Sequence, residues 1–239
     1  GHRIRVHDIV DSDKFPMERD LERGVRDAEV VIIATPISVT REMLEKVVEL
    51  RPEALVFDIA SIKSPFQDVL RKGAADGLSI CSLHPMFGPE TYSIIDRNVV
   101  VCNCGSTDAV DRARGLFDGA NLMEMDVEEH DPIMAYVLGL GHATNIAFFE
   151  SLRASGRSFE ELSQAASTTF QRQVETARDV ASENASLYYE IQKMNPYNAE
   201  ALAFLQRALE DVRSAAERAD RGAFERMMGE GREYFGGSQ

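Results

Sequence analysis

The chain has 239 residues, of which 44% are hydrophobic and 28% are charged, a composition typical of a soluble globular protein with room for two modest domains. Its formal net charge of −14 argues against a nucleic-acid binder, which needs a basic surface, and requires local arginines or lysines around any anionic ligand. With no secretory signal and no run of about 20 uninterrupted apolar residues, we expect a cytoplasmic protein outside the membrane.

The first half of the chain alternates short apolar runs rich in β-branched residues with amphipathic helical patterns. The pattern predicts strands at residues 3–6, 29–34, 54–58, 78–83, 98–104 and 122–125, and helices at 38–50, 65–72 and 107–117. This alternation favours an α/β fold with a Rossmann-like, doubly wound parallel sheet.

The second half carries helical patterns alone and is predicted to form an all-α domain. Asp131 is expected to cap its first helix, with Pro132 at the first helical position. The following Tyr136 to Phe149 stretch is apolar on nearly every face, which indicates a domain or subunit interface. Amphipathic helices are predicted at 200–219 and 222–235. We place the boundary near Glu128, giving domains of residues 1–128 and 129–239.

The three cysteines, Cys81, Cys102 and Cys104, have no histidine at a spacing typical of zinc ligands. We expect them to be buried, reduced thiols and expect no metal site.

Ligands of a doubly wound sheet bind beyond the carboxyl ends of its strands, so the residues that follow each strand are candidates. Asp8 follows the first predicted strand, where a dinucleotide fold places the acid that binds the adenosine ribose. Thr35 and Pro36 end the next strand, where a turn would run beside a cofactor. Taken alone, Asp8 is equally well a turn residue and Thr35-Pro36 a strand terminator.

Ser61 and Lys63 follow the third predicted strand in the segment DIASIKS. The Ser61 hydroxyl could bind a nicotinamide or a substrate oxygen, and Lys63 could bind an anion. The alternative is a helix cap followed by a solvated lysine.

His84 follows the fourth predicted strand in the segment LHPMFGPE. Pro85 favours extended geometry at His84, which should therefore project into the crevice, with Gly88 and Pro89 shaping a rigid loop. A histidine with an ordinary pKa near 6.5 is the natural general base at neutral pH. The alternative is a structural histidine in a proline-rich turn.

Two further histidines lie in the helical half. His142, near Thr144 and Asn145, sits on the apolar helix, where a lone histidine is more often a core residue than a functional one. His130, in the segment EHD, is interpreted as part of the turn that caps the helix.

Together these segments resemble the prephenate and arogenate dehydrogenases of tyrosine biosynthesis. The resemblance covers nearly the whole chain: the TPI turn, D-x-A-S-x-K, LHPMFGP, EHD followed by M-A-Y, L-x-H-A and the closing YFG. HPMFGP is its specific element.

The resemblance implies an NAD-dependent oxidative decarboxylase, with NADP possible, that forms a homodimer through its helical half. By resemblance, His84 accepts the proton of the ring hydroxyl while hydride passes to the nicotinamide and carbon dioxide leaves. Ser61 would lie beside the nicotinamide and the substrate, and His142 would line the substrate pocket. No arginine follows Asp8 to bind a 2′-phosphate, which favours NAD.

The chain departs from the family pattern at two places. It has no G-x-G-x-x-G turn for the cofactor pyrophosphate, so we expect the native protein to carry a further N-terminal strand and helix. Where members that use prephenate often have an arginine, an ungapped match places Gln171, with Arg172 adjacent. Glutamine cannot supply the bidentate fork that binds a carboxylate, so arogenate and 4-amino-4-deoxyprephenate stay open as substrates.

Two other hypotheses remain. A catalytically silent dimer that binds an aromatic ligand or regulates a partner would fit a chain without a phosphate-binding loop. A β-hydroxyacid dehydrogenase would need a catalytic lysine in the helical half, where only Lys193 is present.

Overall fold

A computed structural model describes residues 3–88 and 91–237 of the chain. Its N-terminal half is a five-stranded sheet with four helices. The strands are β1 (Val30–Ile33), β2 (Leu55–Asp58), β3 (Ile80–Pro85), β4 (Asn98–Asn103) and β5 (Asn121–Asp126). The helices are α1 (Leu21–Arg26), α2 (Ile37–Glu49), α3 (Gln67–Ala75) and α4 (Thr107–Arg114). Each predicted strand and helix from residue 29 to residue 125 is therefore confirmed, within a few residues at its ends.

The strands lie in the order β1-β2-β3-β4-β5, and all neighbours are parallel except β3 and β4. Two neighbouring parallel strands need a crossover connection, usually a helix, that brings the chain back to the starting edge of the sheet. No described residue between β3 and β4 belongs to a helix, so these two strands are antiparallel. The start of β4 therefore lies beside the end of β3, with Val100 opposite His84.

Both faces of the sheet are covered, as a doubly wound fold requires. Alternate residues of β2 point to opposite sides: Val56 joins a core cluster with Leu44 of α2, whereas Leu55 and Phe57 join a second cluster under α4. Burial of these side chains on two faces accounts for the continuous apolar runs of the central strands.

The predicted strand at residues 3–6 is wrong. Val6 forms only an isolated parallel bridge with Met17, donating to the Pro16 carbonyl and accepting from the Glu18 amide. Its backbone hydrogen bonds are thus used by a local return loop rather than by the sheet.

The helical half begins with one continuous element made of α5 (Val127–Met134), a π-helical segment (Ala135–Leu140) and α6 (Gly141–Ala154). Five helices follow: α7 (Phe159–Gln164), α8 (Thr168–Ser182), α9 (Ala185–Met194), α10 (Asn198–Glu217) and α11 (Arg221–Tyr234). The two predicted C-terminal helices are confirmed.

The predicted cap at Asp131 is wrong. β5 runs directly into α5, so Asp126 is the N-cap residue and Pro132 lies inside the helix. The Asp131 side chain is buried and accepts hydrogen bonds from backbone groups of another segment.

The element from Val127 to Ala154 is the one described segment that is long and apolar enough to cross a membrane, by length and composition alone. Only 17% of its most apolar window is buried in the single chain. Core and interface helices of soluble proteins share these properties. Tyr136 and Val137 are among its exposed apolar residues, which agrees with the predicted interface.

Gly139 in the π-helical segment allows α10 to approach closely. A Cβ atom at Gly139 would lie 2.1 Å from Oδ1 of Asn198, the buried first residue of α10. Asn198 cannot easily move aside, because its Nδ2 donates to the carbonyls of Ile191 and Gln192. Gly141, two residues further on, has no atom within 4 Å of such a Cβ.

We predict that Gly139→Ala destabilises the protein by about 1–3 kcal/mol, the usual cost of forcing an extra carbon into a packed site. Gly141→Ala is the matched control and should be neutral or stabilising by up to about 1 kcal/mol, because alanine favours a helix. Urea unfolding of both variants measures the difference. Equal stability of the two variants would contradict the close approach of α10.

Candidate functional site

The carboxyl ends of β1, β2 and β3 meet at one edge of the sheet. The parallel register aligns Ile33 with Asp58 and Asp58 with Ser82. The residues that follow these strands, Thr35 and Ser61, therefore lie at the same edge as His84, which is the crevice where doubly wound folds bind ligands.

His84 lies within β3 in extended conformation and is only 4% exposed. Its Nδ1 lies 3.0 Å from Nε2 of His130, and Nδ1 of His130 lies 2.7 Å from Oδ1 of Asp131. No described residue forms a hydrogen bond with Nε2 of His84. His84, His130 and Asp131 thus form a buried chain that leads from the end of β3 into α5.

The interpretation of His130 as a residue of a capping turn is wrong, because its side chain is fully buried against His84. Burial lowers the pKa of His84 well below its ordinary value, and the nearby Lys63 ammonium and His130 add to the effect. Burial also lowers the pKa of His130, although hydrogen bonding to Asp131 opposes the shift. Both imidazoles are therefore neutral at pH 7.

Asp131 is an ionised carboxylate in this chain. Burial alone would raise its pKa, but hydrogen bonds from His130 and Ser64 outweigh that effect and lower it. Its oxygens accept from the backbone amide of Lys63 at 2.9 and 3.1 Å and from that of Ser64 at 2.6 Å. The Asn195 side chain also holds this residue in place, because its Nδ2 donates a hydrogen bond to the backbone carbonyl of Asp131 at 2.9 Å.

Lys63 is neither solvated nor available to an external anion, contrary to both sequence interpretations. It is fully buried, and its Nζ donates to Oδ1 of Asp58 at 2.7 Å and to the carbonyls of Ala60 and Leu83 at 2.6 and 2.7 Å. All three ammonium protons are used. Lys63 therefore joins the loop after β2 to the residue that precedes His84.

Of the remaining cofactor candidates, Ser61, Thr35 and Pro36 lie at this edge, whereas Asp8 lies in the N-terminal segment outside the sheet. Ser61 is partly buried, and its hydroxyl bonds to no described residue. The Thr35 hydroxyl lies 3.0 Å from that of Thr40, and Pro36 precedes the first residue of α2. Asp8 is exposed and accepts from the Val10 amide at 2.9 Å, forming a local turn.

The N-terminus of α2 is already occupied by a carboxylate. Glu190 of α9 accepts a hydrogen bond from the Ile37 amide at 2.9 Å and another from the Ser38 hydroxyl. This contact joins the helical half to the sheet and leaves these two donors unavailable to a ligand phosphate.

His142 stacks on Tyr188 of α9, with ring centroids 4.1 Å apart, and burial lowers its pKa. Its Nδ1 is buried without a hydrogen-bond partner among the described residues. One helical turn away, Asn145 accepts from Nε2 of Gln173 at 2.9 Å. Gln171 and Arg172 are exposed, so the polar side chain that α8 directs at this cluster is Gln173.

A separate depression of about 740 Å³ lies between the loop after β3 and the end of α8. Gly88, Thr91, Arg97 and Glu183 are among its lining residues, whereas the site residues above are not. Pro89, expected to shape the loop around His84, lies outside the described residues.

The cysteine prediction is confirmed: all three thiols are free and buried. Burial raises the pKa of Cys81 and of Cys102 to about 12, so both are protonated and inert at neutral pH. Within residues 3–88 and 91–237, no cluster of histidine, cysteine or acidic side chains has the geometry of a metal site.

Sequence reasoning identified His84 but missed His130 and Asp131 as its partners. They are separated from His84 by 46 or more positions, and no local pattern connects them. The available signal was a histidine and an aspartate side by side directly before a long apolar helical stretch.

Two family models match the chain in succession. The model described as prephenate dehydrogenase, nucleotide-binding domain, matches residues 14–119, and the one described as prephenate dehydrogenase, dimerization domain, matches residues 126–230.

Curated relatives agree with these matches. The chain is 30% identical to a 4-amino-4-deoxyprephenate dehydrogenase of Streptomyces pristinaespiralis, over 87% of this chain and 71% of that protein. It is 27% identical to a probable arogenate/prephenate dehydrogenase of Methanocaldococcus jannaschii, over 89% of this chain and 49% of that protein. The chain thus spans only about half the length of the latter relative.

A crystal structure of prephenate dehydrogenase from Aquifex aeolicus in complex with hydroxyphenyl propionate and NAD+ has the same fold. It superposes with a TM-score of 0.70 at 18% identity, over 92% of this chain and 80% of that one.

We predict that Lys63→Met destabilises the protein by about 3–5 kcal/mol, because it leaves the buried Asp58 carboxylate without its counter-charge. Adding Asp58→Asn should recover part of the loss, since asparagine can still accept from the Ala60 amide. The exposed Lys72→Met is the matched control and should change stability by no more than about 0.5 kcal/mol. The measurement is denaturant unfolding. A Lys63→Met variant as stable as the control would contradict the buried ion pair.

Proposed function

The chain belongs to the prephenate dehydrogenase family, and on that premise we propose that it catalyses NAD-dependent oxidative decarboxylation of a prephenate-like cyclohexadienol. The observation that carries the proposal is the neutral, buried His84 at the end of β3, in the crevice where doubly wound folds bind dinucleotides.

His84 is the proposed general base. Its Nε2 would accept the proton of the substrate hydroxyl as hydride leaves the ring carbon and carbon dioxide is lost. Aromatisation of the ring provides the driving force, so the protein needs mainly to orient the reactants and to take up one proton. The lowered pKa of His84 keeps this base unprotonated at neutral pH.

The cofactor supplies the hydride acceptor, and the residues at the edge of the sheet fit its nicotinamide half. Ser61 offers a hydroxyl that no described residue engages, and Thr35 and Pro36 border the same edge. Asp8 is the proposed ribose ligand, and the residues directly after it, Ile9 and Val10, carry no charge for a 2′-phosphate, which favours NAD over NADP. The Aquifex aeolicus relative was crystallised with NAD+, which supports this choice.

The substrate is proposed to lie between the edge of the sheet and the helical half. His142 is assigned to the substrate pocket, and its unpaired Nδ1 supports a role in ligand binding. The family resemblance alone proposes Gln171 and Arg172 near the substrate carboxylates, since both are exposed and Gln173 is the side chain of α8 that faces the His142 cluster. Prephenate, arogenate and 4-amino-4-deoxyprephenate are the three candidate substrates, and relatives named for each are among those that the chain matches.

We further propose a cytoplasmic homodimer in which residues 1–128 bind the nucleotide and residues 129–239 form the dimer and contribute to the substrate pocket. The exposed apolar side chains of the element from Val127 to Ala154 support this arrangement, since a second copy would cover them.

The alternative is a catalytically silent dimer that binds an aromatic ligand. An assay of NAD+ and NADP+ reduction with each of the three substrates separates the two proposals. Reduction of NAD+ with release of carbon dioxide supports the enzyme, whereas binding of an aromatic ligand without turnover of any substrate supports the alternative.

We predict that His84→Asn lowers kcat by about 10²- to 10⁴-fold, the range for one proton-transfer group. Asparagine can still donate a hydrogen bond to His130 but has no basic nitrogen, so the fold and the KM for NAD+ should change little. Steady-state kinetics on the preferred substrate provide the test. Turnover at the wild-type rate would rule out His84 as the base.

A further inference from the structure

We propose that His130 and Asp131 are positioning residues that hold His84 in the tautomer carrying its proton on Nδ1, which leaves Nε2 free to act as the base. This inference rests on the proposed function only for the acceptor role of Nε2. The tautomer itself follows from the hydrogen bonds among the three buried side chains.

The proton assignment begins at Asp131. An ionised carboxylate can only accept, so Nδ1 of His130, which lies 2.7 Å from Oδ1, must carry a proton. A neutral imidazole has one N–H, and Nε2 of His130 is therefore an acceptor. The contact of 3.0 Å between this atom and Nδ1 of His84 then requires a proton on the His84 side.

The chain of hydrogen bonds is held firmly in this direction. His130 is fully buried and Asp131 is 2% exposed, so water does not compete for either side chain. The Asp131 oxygens also accept from the amides of Lys63 and Ser64, and backbone N–H groups cannot reverse their roles.

The other charged groups near His84 preserve the assignment. The Lys63 ammonium donates to Asp58 and to two carbonyls, including that of Leu83. It disfavours protonation of His84 without supplying a hydrogen bond to the ring. The direction of the hydrogen bonds is thus set by Asp131 alone.

Asp131 also stabilises the turn at Lys63 and Ser64, so a loss of activity on removing it would not by itself show a positioning role. The tautomer of His84 separates the two roles. A residue that only stabilises the turn leaves the tautomer unchanged as long as the protein folds.

Asp131→Asn should reverse the direction of the hydrogen bonds that join Asp131, His130 and His84. The amide oxygen is needed at the position of Oδ2, which accepts from the Ser64 amide at 2.6 Å and from the Lys63 amide at 3.1 Å. The NH2 group would therefore take the position of Oδ1 and face His130, and the 2.9 Å bond from the Lys63 amide to that position would be lost. Nδ1 of His130 would then accept and its Nε2 would donate to His84. The proton of His84 would move to Nε2, and the base would be lost.

His130→Asn is the second variant. Its amide can still donate to Asp131 and so preserve the turn, but it offers no acceptor to Nδ1 of His84. The Nε2–H tautomer of His84 should then become populated. Glu129→Gln, an exposed residue of the same helix, is the matched control with the same change of charge as Asp131→Asn.

The experiment records long-range proton–nitrogen NMR correlations of the imidazole rings in the full chain, with His84 assigned through His84→Asn, and measures kcat and KM for each variant. We expect Nδ1–H at His84 in the wild type and in Glu129→Gln, and Nε2–H in Asp131→Asn. Asp131→Asn and His130→Asn should each lose about 10²- to 10⁴-fold in kcat with little change in the KM for NAD+.

The proposed positioning role is overturned if wild-type His84 carries its proton on Nε2. It is also overturned if Asp131→Asn and His130→Asn both fold and keep the proton of His84 on Nδ1. Should Asp131→Asn fail to fold, the spectra of the wild type and of His130→Asn decide the matter. The absence of turnover in the wild type would reject the proposed function, whereas the NMR spectra would still test whether His130 and Asp131 set the tautomer of His84.

Discussion

The buried Asp131 carboxylate is the interaction on which the site depends. It lies in the first helix of the helical half and accepts hydrogen bonds from the Lys63 and Ser64 amides in the loop after β2. It also accepts from His130, the partner of His84. One side chain therefore joins the two halves of the molecule at the edge of the sheet, where the reaction is proposed to occur.

The charges around His84 are arranged so that it remains neutral but can accept a proton. Burial and the Lys63 ammonium disfavour the imidazolium, whereas Asp131 stabilises positive charge through His130. The Lys63 charge is itself balanced by Asp58, so the ion pair can remain buried. In a chain with a net charge of −14, this local arrangement rather than the global field determines the behaviour of the base.

The sequence was sufficient to predict the elements whose signal is local. β2 and β4 were predicted because strands buried on both faces are continuously apolar, and His84 because Pro85 favours an extended residue at a strand end. The cap at Asp131 was predicted wrongly because an aspartate before a proline satisfies the capping pattern equally well.

The partners of the site could not be predicted, because they come from distant parts of the chain. His130 contacts a residue 46 positions away, and the burial of Lys63 depends on the Leu83 carbonyl, 20 positions away. Composition and periodicity carry no information about such contacts. Lys63 illustrates the consequence: the same S-x-K pattern suits a solvated lysine, an anion ligand and the buried tie between β2 and β3 that the fold contains.

The most direct measurement of the central claim is an NMR titration of the His84 ring in the histidine-labelled protein between pH 8 and pH 5. The account predicts that the His84 resonances stay those of a neutral imidazole through the ordinary pKa near 6.5 and begin to change only well below it. Protonation of His84 at or above pH 6.5 would contradict a base held neutral by its burial and by the nearby Lys63 ammonium.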